Sequence, residues 1–229
     1  MSGDLINPEI HKGKQEELSA FREYIFLQFC KMILPRSFYT RQDVVMIARE
    51  LLGKLLVTQF RQTRTSGIIC ETEAYNGVID SASHAFGGRR TGRTEIMYMN
   101  GGTAYVYLCY GIHSLFNIVT NKTGIPHAIL IRAIDPLEGL EQMLKRSGKS
   151  KISKSLGDGP GKVSTLLGIH YSHTGHDLTA MPQSIKSDGI WVEDHGIDID
   201  REKIQAGPRI GVEYAGKDAY LPYRFRISL

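Results

Sequence analysis

The sequence predicts a mixed α/β (α+β) fold in a single domain, with a mainly antiparallel β-sheet, peripheral helices and a protruding β-hairpin. Three observations carry that reading. Several runs alternate with the two-residue period of a strand that has one face inward. Apolar stripes at three- and four-residue steps mark helices around them. The 229 residues suffice for one well-buried core.

The first stripe is Leu18, Phe21, Ile25, Phe29 and Met32, which predicts a helix over 15–33 ended by Pro35. A second helix follows. Thr40 is its expected N-cap, Asp43 lies near its first turn, Val44, Ile47, Ala48, Leu51 and Leu52 form its apolar face, and Gly53 stops it. Residues 54–60 and 66–73 alternate as a pair of strands joined by the polar turn Arg61–Thr65. Continuing the alternation puts Glu71, Glu73 and Tyr75 on one face. A carboxylate beside an aromatic at the edge of a core is the consequence.

The next loop ends in Gly87-Gly88-Arg89-Arg90-Thr91-Gly92-Arg93. Glycines let a backbone approach phosphates and arginines neutralise them, although a solvated loop has the same composition. It is not a Walker A loop, since the Lys-Ser/Thr ending is missing. In Thr103–Cys109, Ala104, Val106 and Leu108 point one way, and Tyr105, Tyr107 and Cys109 the other. Tyr110-Gly111 then breaks the run as a hairpin tip, with glycine at positive φ. An exposed aromatic there has the shape of a wedge.

Ala128–Ile134 reads as a buried strand containing one arginine, Arg132. A buried arginine needs a carboxylate, and Glu73 offers itself. Pro136 is expected to start a helix reaching about Arg146. Lys145–Lys154 holds five cationic residues and reads as a solvated loop. Gly157–Lys162 leads into a short helix Val163–Leu167, whose N-terminus with Lys162 would suit one phosphate. His170, His173 and His176 are read as loop residues and not as a metal site. Arg209–Val212 and Pro222–Ile227 are expected to be closing strands.

Composition sets limits on function. The net charge of +4 is compatible with an anionic partner. Three cysteines without CxxC spacing argue against a disulfide framework or zinc knuckle, and fit a reducing compartment. No apolar run approaches membrane length, and Met1–Lys14 is too polar for a signal peptide. An intracellular protein is expected, cytoplasmic and nucleoid-associated if bacterial, nuclear if eukaryotic.

The residues now in view resemble a known family. Glu71-Thr72-Glu73-Ala74-Tyr75, His84, Gly-Gly-Arg, Tyr105-Val106-Tyr107-Leu108-Cys109-Tyr110-Gly111 and Asn117 are similar to the alkyladenine (3-methyladenine, or methylpurine) DNA glycosylases. Leu130–Ala133, Pro136–Gly139, Gly159-Pro160-x-Lys162, Arg209–Val212 and Arg224-Phe225 extend the match in order, from about Arg36 to Arg226. Residues 1–35 match no part of it and are read as a helical extension to a catalytic domain at 36–229.

The resemblance implies a curved sheet and a monofunctional glycosylase of base excision repair. Such enzymes flip an alkylated or deaminated purine from duplex DNA and hydrolyse its N-glycosidic bond. It implies that Tyr110 intercalates, that Tyr75, His84 and Tyr107 hold the flipped base, and that Asn117 disfavours guanine. Glu73 would activate the water, aided by Arg132 and the main-chain carbonyl of Ile210. Arg89, Thr91, Arg93 and Lys162 would lie along the DNA backbone. No metal or cofactor, no lyase activity and a monomer are expected. Two rivals stand beside this reading: a non-catalytic nucleic-acid-binding module of the same fold, and an acid–base hydrolase of free nucleosides. Taken from pattern alone, Tyr75 and Tyr107 read sooner as core aromatics, and Glu73–Arg132 as a structural ion pair; the ordered set of motifs is what favours the site.

Overall fold

The computed structural model describes residues 32–180, 184, 187–197 and 199–228. The expected helix over 15–33 therefore lies outside the described residues except for its last two, and Ile33 forms an antiparallel bridge to Glu193. The described chain folds as one domain around a curved antiparallel sheet.

The strands are β1 (Leu55–Phe60), β2 (Thr63–Tyr75), β3 (Ala104–Cys109), β4 (His113–Thr120), β5 (His127–Glu138), β6 (Gly189–Glu193), β7 (Gln205–Gly207) and β8 (Arg224–Arg226). Their order is β3-β4-β5-β2-β1-β6, with β8 joining β2 to β7. The long β2 is the axis. One edge pairs with β5 over almost its whole length; the other pairs first with β1 and then, at Glu71–Glu73, with β8. Register shifts in the β2–β5 ladder around Ser66/Gly67 and Glu71 bend the pair, as bulges do.

The period-two reading sorts the two faces. Ala74 of β2, Ala104 and Val106 of β3, Phe116 and Ile118 of β4 and Ile129 and Ile131 of β5 enter the main core. Three helices cover that face: Val44–Glu50, Leu140–Ser147 and Pro160–Leu167, contributing residues such as Ile47, Met143 and Leu166. The alternate residues, including Glu73, Tyr75, Tyr105, Tyr107 and Arg132, face the other way. The fully buried Ile131 belongs to stability, so Ile131→Ala should cost about 2–5 kcal/mol in denaturant unfolding.

Several expected boundaries move. Asp43, not Thr40, caps the helix Val44–Glu50, accepting from Met46 N–H at 3.0 Å. Thr40 instead ends the preceding short helix Arg36–Tyr39. The turn between β1 and β2 is only Arg61-Gln62, at φ 50° and 65°, so β2 begins at Thr63. Such a two-residue turn normally advertises itself with Asn-Gly or Asp-Gly, which this chain lacks. Pro136 does not start a helix; it continues β5 opposite Gly67, since its fixed φ also suits extended backbone. Gly139 at φ 72° makes the break, and the helix follows at Leu140–Ser147. The later helix starts at Pro160 rather than Val163. Of the expected closing strands, Pro222–Ile227 shortens to β8, and Arg209–Val212 is no strand, for reasons that lie in the site.

Candidate active site

On the non-core face the sheet floors a cavity of about 460 Å³, lined by Tyr75, His84, Arg93, Tyr105, Tyr107, Tyr110, Asn117, Arg132 and Ile210 among others. A larger hollow, about 710 Å³, lies between the helix Val44–Glu50 and residues 194–204, and none of the motif residues lines it.

Glu73 lies fully buried beside this cavity. β2 delivers it two residues before Tyr75, whose hydroxyl donates to Glu73 Oε2 at 2.9 Å. The Ile210 N–H donates to Oε1 at 2.8 Å. From β5, Arg132 Nη1 stands 3.4 Å from the same oxygen. Burial raises the Glu73 carboxyl above the ordinary range; Arg132, the Ile210 amide and Tyr75 pull it down, and the neighbouring Glu71 pushes it up. The result is a desolvated carboxylate held by two hydrogen bonds with a guanidinium close by, and more basic than a surface glutamate.

Ile210 contacts Glu73 through its amide; the role the resemblance implies for its carbonyl, holding the water, is a separate one. The amide is held in place by the residue before it. Arg209 is buried and makes a two-pronged pair with Asp80, which is buried too. It also donates to Ala74 O at 2.9 Å and lies 4.8 Å over the Tyr75 ring. These anchors pull 209–212 across the end of β2 instead of along it, with Gly211 at φ 74°, which is why the segment forms no strand. Asp80 and Arg209 have no warning in the sequence beyond an acid and a base far apart.

Tyr105 and Tyr107 leave β3 on the cavity side, ring centres 5.4 Å apart. His84 stands edge-on to Tyr107 at 4.9 Å and shares a 2.8 Å hydrogen bond from Nδ1 with the Tyr105 hydroxyl. Burial, then Arg93 and Arg89, lower the His84 pKa to about 4, so the ring is neutral near pH 7. Asn117, buried on β4, spends its amide hydrogens on Tyr105 O and Leu115 O, at 3.1 and 3.2 Å. Tyr105 is a partner the motif reading does not single out, although its alternation with Tyr107 announces it.

The hairpin tip has the expected shape. Tyr110 is 92% exposed, at φ 51°, with Gly111 at φ 72°. Exposed Ile112 stands beside it and Tyr110 borders the cavity. The basic positions scatter more. Arg89 is exposed, and its carbonyl receives the Tyr98 hydroxyl. Thr91 organises a tight turn with Thr94. Lys162 is exposed on the first turn of its helix and donates to Ser155 O at 3.0 Å. Arg93 is the exception: it lies 4.5 Å over the Tyr107 ring and 3.3 Å from His84 Nε2, in the cavity mouth. Of the three histidines read as loop residues, His173 stacks on Phe60 and caps His170 N–H, while His176 accepts from Ile190 N–H.

A hydrogen-bonded carboxylate beside an aromatic cavity, next to an exposed aromatic tip, defines a site for a flat ligand and a reaction assisted by a base. Comparison with known proteins agrees. Residues 37–228 match the family model of methylpurine-DNA glycosylase (MPG). A Chlamydia abortus protein provisionally named a 3-methyladenine DNA glycosylase is 45% identical over 202 residues, 86% of this chain and 99% of its own. A Bacillus cereus protein of the same provisional name is 41% identical over 199 residues, 85% of this chain and 95% of its own. The chain belongs to the methylpurine-DNA glycosylase family and is a DNA glycosylase, a hydrolase of DNA repair. Among the described residues no helix is long and apolar enough to cross a membrane.

Proposed function

We propose that this chain excises alkylated or deaminated purines, of the 3-methyladenine, 7-methylguanine and hypoxanthine type, from duplex DNA. The observation that carries the reading is the Glu73 carboxylate, buried beside a tyrosine-lined cavity and fixed by Tyr75, Ile210 and Arg132. The damaged nucleotide leaves the stack, Tyr110 fills the gap, and the base enters among Tyr75, His84 and Tyr107. Electron-rich rings favour a cationic alkylpurine. Neutral His84 offers a hydrogen bond to the purine's six-position edge, and Asn117 crowds an exocyclic amine. As the glycosidic bond weakens, ionised Glu73 takes a proton from water and stabilises the developing sugar cation. Water adds to C1′ and the purine departs with the bonding electron pair, leaving an abasic site in an intact strand.

Two tests act on different parts of this reading. A duplex with one hypoxanthine should yield free base and a strand that breaks only after heating in alkali. Breakage without alkali would contradict a purely hydrolytic enzyme. Release from the free nucleoside at the duplex rate, insensitive to salt, would favour the nucleoside hydrolase.

The pH profile follows from Glu73. Its carboxyl is raised by burial and must be ionised, so the rate falls as pH drops through a value above the ordinary carboxylate range. His84, lowered to about 4, stays neutral there, so His84→Gln should leave the position of that limb unchanged. A single-turnover pH series on both proteins checks this. Arg93 covers the Tyr107 face that a stacked base needs, so it swings out to a phosphate when DNA arrives. Arg93→Ala should then lower the slope of log binding constant against log salt by about one. An unchanged slope would leave Arg93 without a phosphate.

A further inference from the structure

We infer that Glu71 is a positioning residue for the reaction: it grips Arg132 by its Nε edge and so keeps the guanidinium from neutralising Glu73. The inference rests on Glu73 as the base of the proposed reaction.

Glu71 is 7% exposed and carries a large cationic load. Its Oε1 accepts from Arg132 Nε and from Arg224 Nη1, each at 3.1 Å. Arg226 Nε stands 4.0 Å from its Oε2. This gathering follows from the sheet. At Glu71–Glu73, β2 is flanked by β5 on one side and β8 on the other, so Arg132 arrives from one neighbour and Arg224 and Arg226 from the other. Alternation along β2 puts Glu71 and Glu73 on the same face, and Arg132, passed over in the β5 register between Ala133 and Ile131, reaches both carboxylates.

The two carboxylates are served unequally. Glu71 takes a hydrogen bond from Arg132, whereas Glu73 has only Nη1 at 3.4 Å, longer than an ordinary charge-assisted hydrogen bond. A buried base needs a cation near enough to hold it in place and far enough to leave its charge available. Glu71 satisfies both requirements by competing for the same guanidinium. The other charged or titratable groups near Glu73 are Tyr75, Arg209 and Tyr214. Of these only Tyr75 bonds to it directly, and none of them competes for Arg132.

In Glu71→Gln the anionic partner of Arg132 Nε is gone, and Glu73 becomes the nearest carboxylate. Glu73 should then hold its charge to lower pH and be a weaker base. The test that needs no DNA is a titration of the Glu73 side-chain carbon by 13C NMR in the free protein, with the resonance assigned by its absence in Glu73→Gln. The expected result is a midpoint about one unit lower in Glu71→Gln, and near wild type in Glu71→Asp, which keeps the charge. Glu71→Asp also serves as the folded control if Gln at this buried position perturbs the fold: a wild-type midpoint in Asp with a lowered one in Gln supports the inference. A midpoint unmoved or raised in Glu71→Gln overturns it.

The kinetic arm uses a hypoxanthine duplex. The acid limb should move down with the midpoint, the single-turnover rate at pH 8 should fall about tenfold, and the duplex dissociation constant should stay the same. A slower rate with an unmoved limb makes Glu71 merely structural and overturns the inference while leaving the glycosylase reading intact. A wild type that releases no purine defeats the glycosylase reading, and the NMR titration still decides whether Glu71 diverts Arg132.

Discussion

Glu73→Gln is expected to slow base release by about a thousandfold or more while leaving the protein folded and bound to damaged duplex. The geometry explains both halves. Glutamine fills the same volume: its carbonyl can still accept from the Ile210 N–H, and its amide can donate to the Tyr75 hydroxyl oxygen where the carboxylate accepted, so the loop 209–212 stays in place. It cannot take a proton from water or carry the negative charge that faces the sugar cation. Arg132 keeps Glu71 as its partner, so no guanidinium is stranded.

The sign of the stability effect separates lost chemistry from lost folding. Glu73 titrates above its unfolded value because burial penalises its charge. The native state therefore binds that proton more tightly than the unfolded chain, and stability falls as pH rises through the raised value. Glu73→Gln escapes that loss and should melt no lower than wild type at pH 8. A variant that is dead and also unstable would point instead to Glu73–Arg132 as a structural pair.

Tyr110→Ser should weaken binding to a damaged duplex by about tenfold to a hundredfold, with little change in melting temperature. The side chain is 92% exposed, so folding gains almost nothing from it. Its φ of 51° is an uncommon conformation for a bulky residue and puts the ring beyond the tip of the β3–β4 hairpin. A ring held out in water by the hairpin is available to fill the space vacated in a base stack. Where the target base already sits in a flexible single strand, no stack needs filling, so release there should fall much less. Equal losses in both contexts, measured by single-turnover release, would remove the wedge role.

How much of this was legible from sequence depends on the range of the interactions. Alternation in Glu71–Tyr75 and Thr103–Cys109 is local, and it placed Glu73, Tyr75 and Tyr107 on the face where they are found. The Arg132–Glu73 neighbourhood was legible because a buried arginine must have an acid. The tip at Tyr110-Gly111 was legible from a glycine breaking an apolar run. What escaped depends on distant partners. Nothing near Arg209 announces Asp80, so the path of 209–212 and the amide contact of Ile210 were invisible. The strand Gly189–Glu193 lies in a stretch whose alternation is too short to read. Pro136 misled because proline begins helices and also tolerates extended edges, and the deciding Gly139 close approach to Arg64 and Thr65 is tertiary. Arg93 over Tyr107 could be found only in three dimensions.

The most direct measurement is single-turnover release from duplexes holding one 3-methyladenine, 7-methylguanine, hypoxanthine or ethenoadenine, with the freed base identified by chromatography and an undamaged duplex alongside. Release of at least one damaged purine is expected, with none from the undamaged duplex and an intact strand bearing an abasic site. Tight binding to every damaged duplex with no base released from any of them would contradict it, and would make this chain a non-catalytic DNA-binding module of the same fold.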